Sequence, residues 1–159
     1  MLQAGRNWTR SWWTMTRYRK PILSVLLWTW GGVVYFFLEV AWKTATGKPE
    51  SISWTMLALA ILLTAAVERC GYQLPWKVSL WIQSLACAAL VTTVEFFAGV
   101  ILNIWLELGI WDYSNLPGNV LGQICPQFFL IWWGLCLVFI PVFDWMWWAV
   151  CGGEKPHYK

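Results

Sequence analysis

Four long apolar segments, separated by shorter polar ones, dominate the chain. They cover residues 22–42, 52–67, 78–102 and 128–150. A helix needs about 20 mostly apolar residues to cross the hydrocarbon core of a bilayer. Each segment is therefore predicted to be a transmembrane helix, the second being short for this purpose. The pattern predicts an all-α, polytopic membrane bundle with four transmembrane helices.

The residues outside these segments divide the chain into three parts. We expect an interfacial arm over residues 1–21, a transmembrane domain over 22–150 and a polar tail over 151–159. The arm carries five of the eleven Lys and Arg side chains and also Trp8, Trp12 and Trp13. Trp and basic side chains favour the surface of an anionic membrane. We therefore predict an amphipathic arm that contacts anionic lipid headgroups rather than nucleic acid.

The composition excludes several classes of protein. Of the 159 residues, 59% are apolar and only 12% are charged, whereas charged residues make up about 25% of a soluble domain. A soluble enzyme is therefore excluded. The five cysteines form no Cys-x-x-Cys pair, and the single histidine lies in the tail. We predict free thiols, no metal site, no cofactor and no catalytic residues.

The charges outside the spans predict an orientation. The arm, the second loop (68–77) and the tail share one side of a four-span bundle, and together they hold nine Lys and Arg residues. The first loop (43–51) holds two, and the third connection (103–127) holds none. Because basic residues are retained on the cytoplasmic side, we expect a cell-membrane protein with both termini in the cytoplasm.

Two acidic residues fall inside the predicted spans, Glu39 in the first and Glu95 in the third. Charged side chains within a membrane face a protein interior or an aqueous cavity. Both spans run outward, so both carboxyl groups are expected in the outer half of the membrane. Helical spacing places further polar residues on the same two faces. The predicted substrate or cation site comprises Glu39, Glu95, Tyr35, Asn103 and Glu107; alternatively, the carboxyl groups only stabilise helix packing.

The third connection has the chemistry of a tightly folded loop. Asp112 and Ser114 can accept backbone hydrogen bonds, and Pro117–Gly118 suits the centre of a type II turn. Asn119 is expected to cap a short helix over residues 122–124, which Pro126 would end. Because the loop is rich in aromatic residues, we predict that it folds back as a lid over the outer end of the bundle. The lid residues are Trp111, Asp112, Tyr113, Ser114 and Asn119.

Several of these motifs together resemble a bacterial family of membrane proteins. The motifs are Glu95-Phe-Phe-Ala-Gly99, Trp111-Asp-Tyr-Ser114, Asn119, Gly122-Gln-Ile-Cys125 and Trp133-Gly134. The set resembles the family described as putative ABC-transporter type IV, or CmpB-like permeases, over roughly residues 30–135. One departure is the segment 43–55, which lacks the Gly/Pro-rich character that family members carry after the first span.

The resemblance implies a permease subunit of the transport type. Four spans are few for a complete pathway, so a homo-oligomer or a partner membrane subunit would be needed. The chain contains no phosphate-binding G-x-x-x-x-G-K-[ST] motif, so an ATPase would be a separate chain. The alternative is a structural or assembly subunit of a larger membrane complex, in which the carboxyl groups bind a partner's Lys or Arg. Co-purification with an ATPase would favour the first hypothesis.

Overall fold

The computed structural model describes residues 21–47, 52–152 and 155–158. In this part of the chain there are four long helices: α1 (Pro21–Ala45), α2 (Trp54–Gln73), α3 (Leu80–Gly99) and α4 (Pro126–Cys151). A π-helical turn, Val100–Trp105, continues α3. All four are long and apolar enough to cross a membrane. The predicted all-α membrane bundle is confirmed, whereas the predicted interfacial arm lies outside the described residues.

The helix ends differ from the ends of the apolar segments because local chemistry, not hydropathy, determines them. Helix α2 starts after Ser53, whose hydroxyl accepts a hydrogen bond from the Thr55 N–H at 3.3 Å. It continues to Gln73, six residues beyond the predicted span, and so includes Glu68. Pro126 begins α4, although we expected it to end a short helix. Proline suits the first turn of a helix, where its missing N–H would have no partner.

Helix α2 is the central element of the bundle. It packs against α1, α3 and α4, and α3 also packs along α4. The core between the helices contains Leu27, Leu63, Val91, Ile140 and Phe143, all almost fully buried. Large apolar side chains on the outer faces are exposed in the isolated chain, among them Ile22, Phe37, Trp81, Leu130 and Val138. Such an outer surface is suited to lipid.

Helices α1 and α2 approach each other closely at a glycine pair. A Cβ atom added to Gly32 would lie 2.8 Å from the backbone nitrogen of Ile61. At Gly31 it would lie 2.5 Å from the Thr64 methyl group. Close approach at small residues is the usual way for helices to pack in lipid.

The up-and-down course of the helices gives the bundle two distinct ends. We call the end that contains the described residues 39–47, 52–54 and 95–132 the loop end. The opposite end, with the described residues 21–28, 68–80, 144–152 and 155–158, is the tail end. Within the tail, the Tyr158 hydroxyl donates a hydrogen bond to Asp144 on α4, and the Tyr158 ring stacks on Trp76.

Candidate functional site

An ion pair on α1 contacts the connection between α3 and α4, residues 103–127, at the loop end. This segment is called the connection below. Lys43 and Glu39 are one helical turn apart, with 3.3 Å between Nζ and Oε1. The Tyr35 hydroxyl donates to the other Glu39 oxygen at 3.3 Å. The Lys43 ammonium also donates to the Ile110 carbonyl at 2.9 Å, and Lys43 is only 5% exposed. Lys43 therefore fixes the connection to α1 and balances the charge of Glu39.

Glu95 lies behind this pair, between α3, α4 and the connection. Its carboxyl group accepts a hydrogen bond from the Trp132 indole N–H at 2.7 Å and a longer one from the Tyr113 hydroxyl at 3.4 Å. The Trp132 ring stacks on Tyr35 with 4.9 Å between centroids. Tyr35 and Trp132 thus link Glu39 and Glu95 into one cluster. Burial, and then the nearby carboxyl of Glu95, raise the pKa of Tyr113, so this phenol stays a hydrogen-bond donor.

The π-helical end of α3 holds the long connection from the other side. The Asn103 side chain accepts from the Ile110 N–H at 2.7 Å and donates to Gln123 at 2.9 Å. The Trp111 indole donates to the Gln123 carbonyl at 3.0 Å. A Cβ atom on Gly99 would lie 2.5 Å from the Gln123 side-chain oxygen. The glycine therefore leaves space for the connection to pack directly on the helix.

Asp112 folds back onto its own loop. Its Oδ1 atom accepts hydrogen bonds from the Ser114 N–H at 2.8 Å and from the Ser114 hydroxyl at 2.6 Å. A Cβ atom on Gly122 would lie 2.8 Å from this carboxylate oxygen. The backbone N–H of Tyr113 in turn donates to the Gly122 carbonyl at 2.8 Å. These contacts fix the carboxylate of Asp112 while its residue remains exposed.

The prediction of a short helix after Asn119 is wrong. The segment instead makes a tight turn closed by a bridge between Val120 and Ile124. Leu121 and Gly122 both have positive φ angles, 52° and 69°, which a right-handed helix cannot contain. Asn119 does accept a hydrogen bond from the Gly122 N–H at 3.1 Å. It caps a turn rather than a helix.

A cleft of about 690 Å³ lies between α1 and the connection and opens at the protein surface. Its charged lining residues include Glu39, Lys43 and Asp112, of which Lys43 is buried and Asp112 is exposed. Aromatic side chains form much of its wall: Trp42, Trp111, Tyr113 and Phe128. Ionised groups and aromatic faces that share one open cleft can bind a small polar molecule.

The predicted site residues are distributed unequally around this cleft. Glu39 and three loop residues line it, Trp111, Asp112 and Tyr113. Tyr35 and Glu95 lie in the cluster behind it, and Asn103 holds the connection. Ser114 and Asn119 shape the loop. Glu107 is exposed and is not part of the cleft lining.

Sequence reasoning missed two kinds of functional candidate. One kind comprises the aromatic partners Trp42, Phe128 and Trp132, which no spacing rule separates from the other aromatics of a Trp-rich chain. The other is Glu68, which is 2% exposed at the tail end. It accepts indole N–H hydrogen bonds from Trp147 at 2.7 Å and from Trp28 at 3.2 Å. The signal available in the sequence was that Glu68 lies four residues after Thr64, and therefore on the same helix face.

Four membrane-length apolar helices, with a polar cleft at one end of the bundle, define a multi-pass membrane protein. A family model described as "Putative ABC-transporter type IV" matches residues 22–153. The chain belongs to this family, which confirms the resemblance seen in the sequence. No curated protein and no solved structure gives a significant match.

Proposed function

We propose that this chain is a permease subunit of the ABC-transporter type, and that the loop-end cleft receives its ligand. The observation that carries the proposal is the cleft itself, about 690 Å³ in volume and lined by Glu39, Lys43 and Asp112. Membership of a family described as ABC-transporter type IV supports the same function. Packing alone does not require an open cleft lined by charged side chains.

The distribution of basic residues supports an outward-facing cleft in the cell membrane, with both termini in the cytoplasm. At the tail end the described residues include Arg69, Lys77 and Lys155. In the sequence, five further basic residues precede α1. At the loop end Lys43 is buried beside Glu39, which offsets its charge. The described residues at the tail end therefore hold more basic side chains than those at the loop end, which supports a cytoplasmic tail end.

The connection acts as a lid in this proposal. Tyr113 stacks on Phe128 with 4.3 Å between centroids, and its hydroxyl reaches Glu95 over a long 3.4 Å. This weak contact joins the cleft wall to the buried cluster. A ligand that displaces Tyr113 would therefore leave Glu95 with one hydrogen-bond donor fewer.

The proposed partners follow from what four spans can do. A homo-oligomer or a second membrane subunit completes the pathway, a separate ATPase supplies energy, and the basic arm contacts anionic lipid. We assign no enzymatic activity to this chain. The alternative of a structural subunit required Glu39 and Glu95 to bind a partner's basic residue. Both already have partners within the chain, Lys43 and Trp132, which makes that alternative weaker.

Purification of the tagged chain from its native cells in mild detergent tests the proposal. We expect an ATPase subunit to co-purify in fixed stoichiometry and the complex to hydrolyse ATP. A variant of that ATPase lacking its phosphate-binding lysine is the control. Stoichiometric recovery within a complex that contains no ATPase would instead establish the structural alternative.

Cysteine labelling on intact cells tests the orientation. Cys151 is exposed at the tail end, and Asn115 lines the cleft at the loop end. In a Cys151→Ser background, Asn115→Cys should react with a membrane-impermeant maleimide from outside. The unmodified chain should react at Cys151 only after the cells are permeabilised. The opposite result would contradict the outward-facing cleft.

A further inference from the structure

We propose that the loop-end cleft binds a small organic cation through its ammonium group. The inference rests on the proposed function only in using the same cleft, and it specifies the class of ligand. Three features carry it: the charge of the loop end, the aromatic wall of the cleft, and the burial of Lys43. The cleft volume of about 690 Å³ lies within the range usual for small-molecule sites.

The loop end has an excess of acidic groups. Its described residues include four carboxyl side chains, Glu39, Glu95, Glu107 and Asp112, against one basic side chain, Lys43. Among the described residues that line the cleft, Glu39 and Asp112 are acidic and Lys43 is basic, so the lining has a net negative charge. A cleft with a net negative lining attracts cations, and Asp112 is exposed there.

The wall of the cleft presents aromatic faces to the same space. Trp42 is 54% exposed and meets Phe128 edge to face at 6.4 Å between centroids. Phe128 continues into Tyr113 through a stacked contact at 4.3 Å. Indole, phenol and phenyl faces attract ammonium groups through their quadrupoles, and Trp does so most strongly. The three rings contact one another in series and line the same cleft as Glu39 and Asp112.

The one basic residue of the lining does not favour an anionic ligand. The Lys43 side chain is 7% exposed, and its ammonium lies 3.3 Å from Glu39 and 2.9 Å from the Ile110 carbonyl. An anion in the cleft would therefore meet carboxylates and aromatic faces but little accessible positive charge. Burying the negative charge of such a ligand without a compensating positive group is unfavourable.

Two ligands of the same shape test the role of charge on the unmodified protein. Choline and its uncharged carbon isostere, 3,3-dimethylbutan-1-ol, are compared by saturation-transfer NMR and by calorimetry with the chain in a non-ionic detergent. We expect choline to bind in a saturable manner and the isostere to bind at least about tenfold more weakly. Equal binding of the two, or preferential binding of acetate, would overturn the inference.

Four substitutions then locate the binding. Trp42→Leu removes an aromatic face but keeps an apolar side chain, and we expect choline affinity to fall between about twofold and tenfold. Trp54→Leu is its control, since Trp54 is exposed at the same end but does not line the cleft. Asp112→Asn keeps the oxygen that Ser114 needs and removes the charge, so it should also weaken binding. Its control is Glu107→Gln, which removes an exposed charge outside the cleft lining.

The variants overturn the inference if the cleft substitutions weaken binding no more than their controls. All four change exposed residues, and circular dichroism verifies that each variant folds. Failure of this inference is distinguishable from failure of the proposed function. Choline binding to the purified chain needs no ATPase, and an ATPase complex can form whether or not choline binds.

Discussion

The hydrogen bond between Trp132 and Glu95 is the most direct point at which to perturb the buried cluster. Trp132→Phe removes the indole N–H, which lies 2.7 Å from Glu95 Oε2, and keeps a ring to stack on Tyr35. Hydrogen bonds between membrane helices average about 0.6 kcal/mol, with a maximum of about 1.7. Bonds to charged groups in soluble proteins contribute about 1.5–3 kcal/mol. For a carboxyl acceptor that is 6% exposed we therefore expect a loss of about 1–2 kcal/mol in the free energy of unfolding.

The adjacent Trp133 provides a matched control. Its indole donates to the Ser84 hydroxyl at 2.9 Å, a neutral acceptor, and the residue is only partly buried. Trp133→Phe should cost about 0.6 kcal/mol. Both variants are measured by SDS titration in mixed micelles, followed by far-ultraviolet circular dichroism, because fluorescence changes when an indole is removed.

A double-mutant cycle separates the hydrogen bond from the loss of ring area. In a Glu95→Leu background no carboxyl is left to satisfy, so Trp132→Phe should cost clearly less than in the unmodified chain. The reasoning is refuted if Trp132→Phe costs the same in both backgrounds. It is also refuted if Trp132→Phe costs no more than Trp133→Phe.

Three further predictions concern packing, the loop and the tail end. Gly32→Ala should destabilise the protein by about 1–3 kcal/mol because its Cβ would meet the Ile61 backbone. Gly134→Ala is the control and should not destabilise, since there is open space around Gly134. Equal losses of the two variants in SDS titration would contradict this prediction. Asp112→Ala should cost about 0.5–1.5 kcal/mol because it removes the hydrogen bonds from the exposed Ser114. Unchanged thermal stability in detergent would argue against a fixed loop. Trp147→Phe should cost about 1–2 kcal/mol through the lost bond to Glu68, and the loss should shrink in a Glu68→Leu background.

The number of helices was predictable because a membrane leaves few alternatives. Backbone groups in hydrocarbon must pair within their own segment, so a 20-residue apolar stretch has to be helical. The helix ends were less predictable because they depend on local chemistry that hydropathy does not record. Ser53 caps α2, Pro126 starts α4, and Glu68 stays inside the bundle because two indoles satisfy it.

The loop shows why a correct local signal can yield a wrong element. Asn119 accepts the expected backbone hydrogen bond, but the same bond serves a turn as well as a helix. The deciding feature is the positive φ of Leu121 and Gly122, which tertiary contacts impose. A Cβ on Gly122 would lie 2.5 Å from the Ser114 hydroxyl, so the loop closes against this residue. No pattern within the segment itself contains that information.

The candidate site was predictable in its location more than in its contacts. Glu39 and Glu95 share the loop end because alternate spans run in the same direction, which the order of segments already determines. Lys43 was counted in the first loop, but it lies on α1 and its side chain is buried against Ile110, a residue 67 positions away. Trp132 was one Trp among 16, and only the rotation of α4 shows that its indole faces Glu95.

Helix α4 supplies an indole donor to each of the two most deeply buried carboxyl groups among the described residues. Trp132 binds Glu95 at the loop end, and Trp147 binds Glu68 at the tail end. An indole N–H donates a hydrogen bond but cannot accept a proton. Each bond therefore helps to fix the position of α4 and cannot take a proton from the carboxyl group. Pro141 lies between the two tryptophans within α4 and leaves the helix without one backbone hydrogen bond, at the point where a helix bends most easily. The two indoles therefore lie on opposite sides of this proline, and their bonds to Glu95 and Glu68 both depend on the direction that α4 takes there.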